Sequence, residues 1–360
     1  MSQNQHVVDT SVAPGDSQSR AEALLAEMTL EEKLGQLTQV NGGDPGLHDA
    51  VRAGHIGSIL NEVDVDEINE LQRIAVQESR LGIPLVIGRD VIHGFKTIFP
   101  IPLGQAASWD PEAVELAARV AAAEAVSSGI NWTFAPMIDI TRDPRWGRIA
   151  ESLGEDPYLC GRLGAAMVRG FQGEDLAHPL SIAACAKHFA GYGAVEGGVD
   201  YSSAFIPENE LRNVYLRPFH GALEAGVATF MSSFSDLNGV PATGNQFLMR
   251  QVLREEWQFD GVVVSDWNAI GELTVHGFTA NDREAALAAA SAGIDMEMAS
   301  GHYAYHLPDL IACGQVDAAE VDTMVANVLR LKFDLGLFER PFTDPSASPA
   351  LVNPSHLEAA

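Results

Sequence analysis

Short apolar runs recur along the chain, and most close on a polar or charged residue. HIGSIL runs up to Asn61, PLVIGRD closes at Asp90, and NWTFAPMIDI surrounds Asp139. SIAACAKHFA carries Lys187 and His188, ATFMSSFSD leads to Asp236, VVVSDW delivers Asp266, and AGIDMEM holds Glu297. These runs do not alternate apolar with polar, so each reads as a strand buried on both faces. Longer stretches with helical spacing lie between them: Glu112–Ser128, Pro207–Glu224, Gln246–Trp257, Asp282–Ser291 and Ala318–Leu335. Asp110-Pro111 opens the first of these well, because Asp caps a helix and Pro suits its first position.

Repeated strand–helix units mean a parallel sheet covered by helices. The choice is then a closed barrel or an open doubly wound sheet. A barrel gathers all the strand ends at one mouth, whereas an open sheet spreads them along an edge. The recurrent polar strand ends favour the barrel. No GxGxxG turn or P-loop is present to favour a nucleotide fold. The expectation is an α/β fold, a (β/α)8 TIM-type barrel, over residues 21–342.

The two ends read differently. Residues 1–20 are polar, lack the apolar stretch of a secretion signal, and read as a disordered lead. This leaves cytoplasm, periplasm and secretion all open. Residues 343–360 are rich in Pro and Ser and read as a linker. They finish in HLEAA, like the first turn of a helix, so the expectation is a linker into a C-terminal domain absent from this chain.

Charge narrows the partners. Lys and Arg total 22 and Asp and Glu total 49, for a formal net charge of −27. Nucleic acid and anionic membranes require a basic face, so neither is expected as a partner. No apolar run is long enough to span a bilayer. Cys160, Cys185 and Cys313 show no CxxC spacing, so no zinc site or disulfide framework is expected. His188 and Asp90 could serve as metal ligands, but no His-x-His or His-Glu-x-x-His pattern is present. No metal and no cofactor is expected.

The candidate chemistry sits at the strand ends. Asp266 is a carboxylate beside an aromatic plane, Trp267, which suits a sugar: the plane meets the C–H face and the acid meets the anomeric centre. The bland alternative is a helix-capping Asp beside a core Trp. Lys187 and His188 are adjacent donors for vicinal hydroxyls. Lys187 is also a candidate Schiff-base nucleophile, or simply one half of a salt bridge. Asp90 can accept two hydroxyls. Arg148 closes the loop RDPRWGR and can hold a hydroxyl or pair with a carboxylate. The loop YGAVEGGVDYSS follows Lys187 and His188 and is long enough to shape a mouth; its Glu196 reads as structural.

GRDVIHGFKTIFPIPLG, APMIDITRDPRWGRIAESLGEDPYL, KHFAGYGAVEGG and GVVVSDW together resemble the family 3 glycoside hydrolases, in their bacterial β-glucosidase branch. The resemblance runs from Met28 to about Phe342. It implies a (β/α)8-type barrel and retaining hydrolysis of a terminal β-linked glucose. Asp266 matches the nucleophile that forms a glycosyl-enzyme. Asp90, Arg148, Lys187 and His188 match the residues that grip the sugar hydroxyls. Trp267 matches an aromatic neighbour of that sugar, and Met231 a pocket-lining position. Phe234 falls near a position where some relatives carry Tyr. The general acid is implied to come from a C-terminal α/β-sandwich domain. Tyr192 and Ser202 replace the two histidines of the β-N-acetylglucosaminidase branch, which argues against that substrate. Glu272 is a carboxyl within this chain that can serve as the acid instead. The alternatives to a β-glucosidase are a β-xylosidase, a sugar-binding barrel without turnover, and a Lys187-dependent aldolase.

Overall fold

The computed structural model describes residues 17–347 and 353–360. Its main sheet has eight strands: β1 Thr38–Asn41, β2 Ser58–Leu60, β3 Val86–Arg89, β4 Trp132–Thr133, β5 Cys185–Phe189, β6 Thr229–Ser232, β7 Val262–Trp267 and β8 Met296–Met298. Each neighbouring pair is parallel, and β1 pairs with both β2 and β8. Parallel bridges from Trp132 to Ala183 and from Met137 to Lys187 join β4 to β5. There the Cys185 N–H donates to the Ala135 carbonyl at 2.9 Å. The strands therefore close in chain order, as the expected (β/α)8 barrel.

Seven of the eight strands lie within the apolar runs. β1 was not anticipated. Its TQVN carries Gln39, which is buried and donates to Ser58 Oγ at 2.7 Å. A polar side chain buried inside the barrel, held through its amide N–H, hides the strand from a hydrophobic pattern.

Helices cover the barrel. Asp110 caps the helix Pro111–Val126, and Asp156 caps Pro157–Gln172 through the same Asp-Pro pairing. The second of these, and Val65–Gln77 capped by Asp64, were not anticipated. Pro111–Val126 and Pro157–Gln172 pack closely at Gly170, where a Cβ would lie 2.5 Å from the Glu115 carbonyl oxygen. The expected Pro207–Glu224 helix is interrupted by a wide π-type turn over Leu211–Tyr215. Phe247–Glu256 is π-type throughout.

A helix begins at Ser17, inside the expected disordered lead; residues 1–16 lie outside the described residues. Within residues 343–360, Thr343, His356 and Ala359 contact the barrel. Thr343 exchanges two hydrogen bonds with Asn69, at 2.8 and 2.9 Å. The helix Pro354–Ala359 returns to the barrel, where His356 Nδ1 meets Glu124 Oε1 at 2.7 Å.

Candidate active site

β7 explains the central residue. Val262, Val263 and Val264 are fully buried between β6 and β8, which holds the strand rigid. Two residues later Asp266 emerges at the C-terminal mouth, where barrel chemistry collects. Its Oδ1 accepts the Trp267 N–H at 2.6 Å, and the residue is only 8% exposed. Burial pushes its carboxyl up to about 6, against the downward pull of Lys187 and Arg148. Trp267 remains 46% exposed beside it.

Strand alternation would send one of Lys187 and His188 away from the mouth. Both reach it, and the peptide joining them is cis. The buried Lys187 Nζ donates to Asp90 Oδ1 at 2.5 Å, across from β5 to the end of β3. Half of the Asp90 side chain stays open to solvent. The amine is thus engaged by a carboxylate, whereas a Schiff-base lysine presents a free amine to its substrate.

His188 bridges two carboxylates. Its Nδ1 lies 2.8 Å from Asp139 Oδ2 and its Nε2 lies 3.4 Å from Asp266 Oδ2. Asp139 Oδ2 also accepts the His188 backbone N–H at 3.0 Å. Burial drives the imidazole well below its ordinary range, aided by the cations Arg148 and Lys187. The ring is therefore neutral and carries one proton. With that proton on Nδ1 it donates to Asp139; with it on Nε2 it faces Asp266, and a protonated Asp139 donates to Nδ1. Burial raises Asp139 to about 7, which makes both arrangements accessible at neutral pH. Asp139 was read only as a strand end. The signal was the one that identified Asp90 and Asp266: a carboxylate closing an apolar run.

Arg148 binds Glu151 with two hydrogen bonds, at 2.8 and 3.1 Å, and stands 5.6 Å from the Tyr192 ring centre. The guanidinium-rich loop is charge-paired throughout: Arg142 with Glu210, Arg145 with Asp143, and Arg148 with Glu151. Such a loop does not make a phosphate cradle. Tyr192 is fully buried, with its ring 5.2 Å from that of His188, as wall rather than reactive group. Met231 is buried on β6 in register with Val264, beneath the mouth. Glu272 lies half-exposed in the first turn of the helix Ala269–Val275, which follows β7. Glu196 is exposed on the long loop.

The arrangement is one half-buried acceptor, three cationic or neutral donors, and a deep carboxylate with an aromatic beside it. It can hold a neutral polyol by its hydroxyls and present an oxygen nucleophile to it. No group of three or more metal-ligating side chains occurs among the described residues. No helix among them is long and apolar enough to cross a membrane.

Comparison with known proteins agrees. Residues 29–331 match the model of the glycosyl hydrolase family 3 N-terminal domain. The chain is 44% identical over 324 residues to a periplasmic beta-glucosidase of Salmonella typhimurium, covering 89% of this chain and 42% of that protein. It is 35% identical over 306 residues to a beta-xylosidase of Formosa agariphila, covering 79% of this chain and again 42% of the relative. Among solved structures, a beta-glucosidase from Listeria innocua in complex with glucose superposes with a TM-score of 0.90 at 39% identity, covering 95% of this chain and 50% of that one. The chain thus spans about half the length of the relatives it matches. Motifs, barrel and matches agree that the chain belongs to glycosyl hydrolase family 3 and carries that family's N-terminal domain.

Proposed function

We propose that this chain carries the nucleophile and the sugar-gripping site of a retaining β-glucosidase. The observation that bears most weight is Asp266, a buried carboxylate at the end of β7 within reach of His188 and opposed by Lys187 and Arg148. Asp90 accepts from sugar hydroxyls, while Lys187, Arg148 and His188 donate to them. At pH 7 a carboxyl with a pKa of about 6 is roughly nine-tenths ionised. Its oxygen attacks the anomeric carbon as the bond to the leaving oxygen breaks, through an oxocarbenium-like state. The leaving oxygen takes a proton from a general acid. Water then attacks the same carbon, loses its proton to that group, and frees Asp266.

The reaction also requires a general acid. A retaining enzyme places it about 5–5.5 Å from the nucleophile. The carboxylates of the mouth are engaged elsewhere: Asp90 with Lys187, Asp139 with His188, Glu151 with Arg148, and Asp200 with the Trp146 indole. This favours an acid delivered by a second, α/β-sandwich domain, with Glu272 as the alternative within the chain.

The test is incubation with a 2-deoxy-2-fluoro-β-glucoside bearing an activated leaving group, followed by peptide mapping. That reagent requires a nucleophile and little acid. A covalent sugar on the Asp266 peptide, lost in Asp266→Ala, is expected. A folded chain that binds an iminosugar yet takes no label would instead support a binding barrel without turnover.

The name of the Formosa relative supports a second substrate, a β-xyloside. Xylose lacks the hydroxymethyl group of glucose, so the ratio of kcat/KM for aryl glucoside and aryl xyloside separates the two. A ratio well below one would replace glucose with xylose in this reading.

A further inference from the structure

Tyr201 has an unusual backbone for a bulky residue. Its φ is +64°, in the left-handed region that non-glycine side chains rarely adopt. Such conformations persist only where the surroundings impose them, and they collect at functional sites. Here the surroundings are visible on both sides. Asp200 Oδ1 accepts the Trp146 Nε1–H at 2.9 Å. Ser203 Oγ donates to Asp236 Oδ2 at 2.5 Å, and the Ala204 N–H donates to the Asp236 carbonyl at 2.9 Å. The loop is thus bound to the segment before Arg148 and to the turn after β6, with Tyr201 at its crest.

The ring completes a ladder that leads outward from the nucleophile. His188 faces Asp266 and touches Tyr192, with ring centres 5.2 Å apart. Tyr192 meets Phe234 at 6.1 Å, and Phe234 meets Tyr201 at 4.6 Å. Along this ladder His188 and Tyr192 are fully buried, Phe234 is 7% exposed and Tyr201 is 46% exposed. Tyr201 therefore stands at the rim. After burial, Asp266 is the strongest influence raising its phenol, so it remains within the field of the nucleophile. Trp267, next to Asp266, is equally exposed. Two half-exposed aromatic rings thus border a buried carboxylate whose neighbours Lys187 and His188 lie deeper.

A sugar whose ring sits over Asp266, with hydroxyls on Lys187 and His188, fills the buried part of the mouth. Whatever is attached through its anomeric oxygen must extend past the rim. We propose that Tyr201 is the platform for that outer part: its ring face packs against the aglycone or second sugar and sets which leaving groups are accepted. This inference rests on the glycosidase reading above. The hydroxyl is not required; the ring is.

The test uses two ligands that are not hydrolysed. Isofagomine occupies only the deep site, and S-linked thiocellobiose reaches past the rim. Calorimetric titration of the wild type, Tyr201→Asn and Tyr201→Phe compares them. Asn is tolerated in left-handed backbone, so the loop keeps its shape. The loss of one stacked aromatic face predicts about a tenfold weaker Kd for thiocellobiose in Tyr201→Asn. Isofagomine should stay within about twofold of wild type, and Tyr201→Phe should behave as wild type with both ligands. Equal weakening of both ligands, no change in either, or the same loss in Tyr201→Phe as in Tyr201→Asn would each overturn the platform. If wild type binds neither ligand, the glycosidase reading fails first and this inference fails with it.

Discussion

At the scale of the residue, burial gives Asp266 two opposed pH dependences. Its folded-state pKa, about 6, lies above that of an exposed Asp. The stability this contributes is full below the unfolded value, near pH 4, and is lost as pH rises through about 6. Asp139, at about 7, acts in the same direction. Attack, however, requires the ionised form, so kcat/KM should fall as pH drops below about 6. Under the proposed mechanism Asp266→Asn should abolish the attack, and it removes the buried charge. We expect it to melt higher than wild type at pH 8, by up to roughly 3 kcal/mol of stability, with little difference at pH 4. Thermal melts at both pH values check this; a variant no more stable at pH 8 would mean the carboxylate is better solvated than its burial implies. The Lys187–Asp90 pair makes a separate prediction. Asp90→Asn removes an ionic acceptor yet leaves a shape match, so kcat/KM on an aryl glucoside should fall about 10²-fold or more while the fold survives. Circular dichroism beside the kinetics separates the two effects.

At the scale of the element, the tail helix and the barrel helix beneath it form a clasp. Glu124 is fully buried and takes hydrogen bonds from the Lys96 N–H, the Thr97 N–H and the Thr97 hydroxyl at 2.7 Å each, with His356 on its other side. Burial alone would raise its carboxyl; the hydrogen bonds outweigh it and bring the value below the ordinary range. Its stabilisation is therefore present above about pH 4.5 and is lost as pH falls through the lower folded value. Glu124→Gln should cost about 1–3 kcal/mol at pH 7 in urea unfolding and less in acid. His356→Ala should free the helix Pro354–Ala359 and speed proteolysis near Asn353. Unchanged cleavage there would show that the contacts of Ala359 with Phe99, Ala117 and Val120 suffice to hold the helix.

This scale also shows what the sequence made legible. β7 is three consecutive valines, so its strand character and its polar end are both visible in one dimension. β1 is not, because Gln39 is stabilised by Ser58, a residue of another strand. The helix Pro157–Gln172 has the same Asp-Pro start as Pro111–Val126. Its helical signal is weaker, because Gly161, Gly164 and Gly170 interrupt the apolar spacing with poor helix formers. The wide turns of Leu211–Tyr215 and Phe247–Glu256 have no local signature, since a π-type bond differs from an α-type one by a single residue of spacing.

At the scale of the whole molecule, the proposed retaining reaction requires a proton donor. If the acid lies in a second domain, this chain alone should act on aryl glucosides whose leaving groups need no proton. Its deficit on cellobiose should then be larger by about 10²–10⁴-fold, the usual contribution of general acid help. The measurement is a leaving-group series on this chain and on Glu272→Gln. A steep dependence already present, and unchanged by the substitution, points to an outside acid; a dependence that appears only in Glu272→Gln assigns the acid to Glu272. The net charge of −27 suits a neutral sugar and gives no reason to expect steering.

The sequence by itself determined the periodic signals: buried strands without alternation, capped helices between them, and a carboxylate or cation where strands end. Periodicity and local caps depend on neighbours in the chain, so they survive in one dimension. The same holds for Asp90, Arg148, Lys187, His188 and Asp266 as types at strand ends and loops. Only the tertiary structure decided which of them meet. Asp139 joined His188 because the barrel closes between β4 and β5, and Tyr201 reached the rim because two distant loops hold its turn. Proton sharing, charge pairing and pKa shifts arise from contacts across the barrel, and those are set by closure, not by the order of residues.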